Sequence, residues 1–193
     1  MTAPIGTLAR NLTAIVAKAS TAAWFETCAA IYDKERTLKL PGELRVNKAQ
    51  RILGTIIAWC EKNGIPCRIC VVKARQVGIS TYAMAEGYHR CRERPTNVMV
   101  IGDEYDKSVK NLVNMFDLYA EKDTVDWGSD YKQPSKKFGN GSKMETETAN
   151  DARAGASGTY QFVIATEVAH WKSGKVVTPD GVFKAFMSCV PDK

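Results

Sequence analysis

No apolar run in this chain approaches the ~20 residues needed to cross a bilayer, so a helical membrane span is excluded. No acidic residue precedes Glu26 in MTAPIGTLARNLTAIVAKASTAAW. Transit peptides share that lack. However, Leu8, Leu12, Ile15 and Ala19 recur at helical spacing, and an amphipathic helix explains them as well. There is no internal repeat and no linker-like stretch, which leaves one domain over residues 1–193. Hydrophobic content of 45% and charged content of 25% are ordinary for a globular protein.

Acidic residues are outnumbered. The net charge of +6 suits an anionic partner without requiring one. Basic side chains gather at Lys34, Arg36, Lys39, Arg45, Lys48 and Arg51, and again at Arg90, Arg92 and Arg94. Solvated faces would account for both groups. Cysteine is not lacking: there are six. Cys67-x-x-Cys70, with His89 and Cys91, invites a zinc reading. RICVVK reads better as a buried strand, which sends Cys67 and Cys70 to opposite faces as reduced core thiols, and no zinc is expected.

The patterns predict a helix over about 7–32 and a loop through Leu40-Pro41-Gly42. A second helix is capped by Asn47, carries Leu53, Ile56, Ile57 and Cys60, and stops at Asn63-Gly64 and Pro66. A strand follows at 67–73, then a helix from Ser80 to about Arg92 with Met84, Tyr88 and Cys91 on one face. Next come a buried strand over 96–102 and a helix capped by Asp103 that repeats Val109, Leu112, Phe116 and Tyr119. Residues 122–137 read as a polar loop, 138–148 as a hairpin around Gly139-Asn140-Gly141, and 151–159 as a small-residue loop. YQFVIA at 160–165 is a third buried strand, and Val182, Phe183, Phe186 and Val190 suggest a last helix. Strands alternating with helices predict an α/β parallel sheet covered on both faces, behind a helical N-terminal segment at 1–45.

Ligands of such sheets bind at strand carboxyl ends. One such end is VVKARQVGIST at 71–81. A phosphate loop, G-x-x-x-x-G-K-[ST], carries a lysine beside its second glycine; Ile79 holds that place here. The remaining parts still suit a phosphate. Gly78 permits close backbone approach, the amides of Gly78 to Thr81 open a helix, and Ser80 or Thr81 offers a hydroxyl to Mg²⁺. Lys73 and Arg75 bring positive charge from the other end of the loop, across Ala74, Gln76 and Val77. A plain strand-to-helix bend has the same composition. The other carboxyl end is FVIATE, where Glu167 could orient a water and Thr166 stands where a metal-binding Asp is common. Gln50 has the amide to read an adenine edge, although a lone Gln is more often a surface residue.

LRVNKAQRIL, CRICVVKARQVGIST, VMVIGDEYDKSVKNL and ETETANDARAGASGTYQFVIATEVAHW, in this order, resemble the ATPase region of a tailed-phage large terminase subunit. That family pumps DNA into a procapsid. The likeness covers about 40–171, and many family members carry the displaced cation and a Ser-Glu or Thr-Glu strand end. It implies a P-loop NTPase core (RecA/ASCE-like) over 46–193, binding ATP and Mg²⁺. By the same likeness Gln50 contacts adenine, Lys73 and Arg75 reach phosphates, and Arg75 steadies the transition state. Residues Lys73 to Thr81 wrap the phosphates, Ser80 and Thr166 hold Mg²⁺ and its water, and Glu167 positions the lytic water. Arg153, in a loop, could act on a neighbouring subunit. Double-stranded DNA, a portal protein and a small terminase subunit would be partners, with a homo-oligomeric ring on the portal in the host cytoplasm. The coupling motif and acidic nuclease cluster that usually follow are missing before Lys193, so no DNA cleavage is expected. Two other readings remain: a nucleotide-, DNA- or portal-binding module with negligible hydrolysis of its own, or another RecA-like NTPase.

Overall fold

A computed structural model describes residues 15–16, 18–33, 35–74, 76–123, 125, 127, 135–149, 158–171 and 178–188. Leu8, Leu12, Lys34, Arg75, Arg153, Val190 and most of the 124–134 and 150–157 loops lie outside them. No helix among the described residues is long and apolar enough to cross a membrane.

Helix α1 (Thr21–Thr27) starts at Ser20, whose hydroxyl accepts the Ala23 N–H. The expected helix to residue 32 stops short. Ile31–Tyr32 (β1) turn back and pair antiparallel with Leu38–Lys39 (β2). The cause is local: the Asp33 carboxylate accepts the N–H groups of Glu35 and Thr37 and closes the turn. Helix α2 (Lys48–Lys62) opens as expected. Asn47 and Gln50 form a reciprocal capping box, and the helix ends at Asn63 before Gly64 with φ +64°. Its buried stripe is Gln50, Leu53, Ile57 and Cys60; Ile56, expected inside, is 41% exposed beside exposed Ile52 and Trp59.

The predicted strand at 67–73 is not a strand. Residues 65–74 have no regular structure and are exposed throughout, with Val72 98% exposed. Cys67 and Cys70 are therefore not core thiols; both are exposed. A run becomes a strand only by pairing, and neither sheet among the described residues includes this segment.

Helix α3 (Ile79–Glu93) leads into β3 (Asn97–Gly102). Asp103 does not cap the next helix: its carboxylate takes the Ser108 hydroxyl, a π-helical turn occupies Tyr105–Val109, and α4 (Lys110–Lys122) continues from it. Lys136–Lys137 (β4) and Lys143–Thr148 (β5) form a hairpin around the expected turn, but β4 lies in the stretch expected to be a polar loop, where Lys136 is 1% exposed and pairs with Asp117; Phe162–Ala165 (β6) and α5 (Pro179–Ser188) follow. The sheet order is β4-β5-β3-β6. β5, β3 and β6 are parallel, with Val100 opposite both Thr146 and Ile164, while β4 runs antiparallel at the edge. The chain is thus α/β with a mixed, mostly parallel sheet.

The period-2 alternation of β3 sorts the core into two layers. Val98 and Val100 join Met144 and Ile164 under α1, α3 and α4, where Trp24, Tyr88, Phe116 and Tyr119 pack together. Trp24 lies 4.9 Å from Tyr88 and meets Tyr119 edge-on at 5.4 Å. Met99 and Ile101 face the other way, onto Tyr160, Trp171 and Val182 of α5. Each such side chain contributes about 1.5–3 kcal/mol by leaving water.

The second arginine cluster is a solvated face only at Arg94, which is 60% exposed; Arg90 and Arg92 are largely enclosed. Arg92 Nε donates to Asp123 at 2.9 Å, with side-chain exposures of 5% and 0%. Arg90 and Arg94 both bind Glu61, which ties α3 to α2. Burial alone would raise the Glu61 carboxyl, but the two guanidinium groups hold it below its ordinary range.

Candidate functional site

α3 runs back along the sheet against the strand direction. Its Gly87 packs on Val98, Phe162 and Ile164. Its Cys91 carbonyl accepts Asn140 and Ser142 beside the amino ends of β3 and β5. Its amino end therefore points to the strands' carboxyl ends. Thr166 and Glu167 are at that same end: the Thr166 N–H donates to the Ile101 carbonyl at 2.8 Å, extending β6 alongside β3. The fold brings the two expected spots to one end of one sheet.

The turn before α3 has two residues with positive φ, Gln76 at +62° and Gly78 at +72°. Only Gly78 takes that conformation without cost. A Cβ there would also meet Gln50 Nε2 at 2.8 Å. The turn is pinned by its carbonyls. Asn47 Nδ2 donates to Val77 O and Gln50 Nε2 to Gly78 O, each at 2.9 Å. Gly78 O also takes the Tyr82 N–H, the first helical bond. Gly78 has no side chain to cap the helix. The first-turn amides of Ile79, Ser80 and Thr81 are then served by no capping side chain, an arrangement suited to an anion. Ser80 and Thr81 are half-buried, Ile79 is 8% exposed, and Lys73 and Ala74 are exposed on the approach.

Gln50 is not the lone surface glutamine the sequence allows. It is 6% exposed, its Oε1 accepts the Asn47 N–H, and its Nε2 holds Gly78. An adenine contact would have to be added to these bonds or exchanged for one.

At the second spot Glu167 has φ +54°, uncommon for a residue with a side chain and costing about 1–3 kcal/mol. This sharp turn starts the 3₁₀ turn Val168–His170 and leaves the carboxylate exposed, 3.7 Å from His170 Nε2. Trp171 Nε1 donates to the Thr166 carbonyl at 3.0 Å and anchors the turn from beneath. The Thr166 hydroxyl is enclosed and has no partner among the described residues. A buried hydroxyl lacking a protein partner fits a bound water, including one belonging to a metal ion. Asp103 ends β3 at the same end of the sheet, its carboxyl held below the usual range chiefly by the Ser108 hydroxyl.

Sequence reasoning missed Asn47, His170 and Trp171. Asn47 was read as a cap only; its second amide atom reaches the loop thirty residues on. His170 and Trp171 follow Glu167 directly and were legible only as neighbours. No protein-family model matches the chain, and no curated protein sequence matches it.

Proposed function

We propose that this chain is the ATPase domain of a viral DNA-packaging terminase large subunit, coupling Mg-ATP hydrolysis to movement of double-stranded DNA into a procapsid. The observation that carries the reading is the uncapped amino end of α3, pinned by Asn47 and Gln50 and opening toward the Thr166-Glu167 end of the sheet. The amides of Gly78 to Thr81 cradle the β-phosphate, and Lys73 and Arg75 supply the charge that Ile79 cannot. Glu167 orients the attacking water on the γ-phosphate. Mg²⁺, when bound, neutralises phosphate charge; the Ser80 hydroxyl and, through water, Thr166 would hold it. Catalysis here is positioning and electrostatics, with no covalent step on the protein. The DNA, portal, small-subunit and ring partners, and the host cytoplasm as the place of work, follow from the sequence resemblance. Arg153 is the residue offered to a neighbouring subunit in such a ring.

A second reading is favoured by one observation. Lys73 sits in an exposed segment that no strand supports. A module of this kind would bind nucleotide, DNA or portal and hydrolyse negligibly until an assembly orders 65–74.

Calorimetric titration with a slowly hydrolysed ATP analogue and Mg²⁺ tests the site. Saturable binding is expected, weakened by Lys73→Ala or Arg75→Ala. Glu167→Ala should cut turnover by about 10²–10⁴ with affinity nearly unchanged. Absence of binding by a folded chain would remove the site from this chain. Equal loss of binding and turnover would remove the role of Glu167. Binding with no turnover even in the parent chain would favour the module.

A further inference from the structure

Two thiols at the end of α2 play no part in the nucleotide site. Cys60, in the last turn of α2, is 8% exposed, and Cys67, beyond the helix, is exposed. The chain reverses between them. Gly64 adopts φ +64°, and the Ile65 N–H donates to the Cys60 carbonyl at 2.9 Å. This bond returns the backbone to Cys60 two residues before Cys67, and Pro66 fixes φ in the step between. The Cys60 thiol is near enough to raise the Cys67 thiol, and Glu61 of α2 and Arg90 of α3 act on it electrostatically.

We propose that Cys60 and Cys67 form a reversible dithiol–disulfide pair, oxidised by low-molecular-weight disulfides, that fastens the root of the exposed 65–74 segment to α2. The Cys67 thiolate attacks one sulfur of the small disulfide and expels the first small thiolate. The Cys60 thiolate then attacks the Cys67 sulfur of the mixed disulfide and expels the second. Two protein thiols are oxidised, one small disulfide is reduced to two thiols, and the two protons released by the cysteines go to those products. Partial desolvation at the foot of α2, then the neighbouring Cys60 thiol, push the Cys67 thiol up to about 11 although the residue is exposed. Below that value each pH unit raises its thiolate fraction about tenfold, so the pair closes slowly at neutral pH and faster in alkali. Cys70, three residues on and also exposed, is the competing partner.

The test is incubation of the whole chain with oxidised glutathione at graded pH, then trypsin and mass spectrometry without reduction. A cross-linked pair of peptides, 52–62 with 63–68, is expected. It should form about tenfold faster per pH unit and disappear on reduction. Cys60→Ser should halt at the Cys67–glutathione adduct, and Cys67→Ser, at an exposed position that leaves the fold intact, should abolish the cross-link. A Cys67–Cys70 link in the parent chain would overturn the proposal. So would a glutathione adduct on Cys67 that persists as it does in Cys60→Ser.

Discussion

The runs NVMVIG at 97–102 and CRICVVK at 67–73 carry similar side chains and meet opposite fates. In the first, Val98, Met99, Val100 and Ile101 are 0% exposed; in the second, Val72 is 98% exposed. The first run has β5 and β6 on its two edges and helices over both faces. The second has neither. Burial therefore belongs to the site a run occupies, and a β-branched run that pairs with no neighbouring strand is only an apolar loop. The same contrast separates the two halves of the candidate site. Thr166 and Glu167 end a strand that pairs with β3, whereas Lys73 ends a segment that pairs with nothing in either sheet.

The largest effect is expected from Val100→Asp. It puts a carboxylate between Thr146 and Ile164 at a fully enclosed position with no counter-charge on the strand. A loss of more than about 4 kcal/mol is expected, enough to unfold the chain. Urea unfolding followed by tryptophan fluorescence would measure it. A folded, cooperative Val100→Asp protein would mean that β3 is not the centre of the sheet.

What was legible follows the same division. Periodicity found α2, α3, α4, β3, β5 and β6, because each has a neighbour that rewards its pattern, and missed the two-residue β4 at Lys136–Lys137. Asn47 and Gly64 marked the ends of α2 because caps are set by local backbone chemistry. The segment at 67–73 misled because periodicity reports what a run could bury and not whether a partner is present. Arg90, Arg92 and Arg94 misled likewise: their partners Glu61 and Asp123 lie about thirty residues away in sequence. At the site, the positive φ of Gly78 was legible from its being glycine, whereas that of Glu167 was not. The double use of Asn47 and Gln50, which cap α2 and also hold the loop, could not be read from a cap motif.

A middle-sized effect should come from Asn47→Ala, which sharpens the contrast at the point where order resumes. The change removes the bond to the Gln50 N–H and the bond to Val77 O. Stability should fall by about 1–2 kcal/mol, a lost cap plus one loop bond. Amide exchange at Tyr82, whose N–H is held by the Gly78 carbonyl, should quicken more than exchange in β3. Equal quickening in both places would indicate a global loss and would separate Asn47 from the loop.

The smallest effect should come from Val72→Ser. A valine that is 98% exposed has almost no burial to lose, so stability should change by no more than about 0.5 kcal/mol, close to the scatter of surface substitutions. Val100→Ser, with a similar change in side chain, provides the scale: there a hydroxyl replaces methyls at 0% exposure and a loss of several times that size is expected. The pair converts the comparison of the two runs into one ratio. A ratio far from one keeps 65–74 as an unsupported approach to the loop, whose order has to come from bound phosphate or from an assembly. A Val72→Ser loss approaching that of Val100→Ser would mean that the segment is covered in solution. Lys73 would then stand on a strand, as the sequence pattern alone would have it.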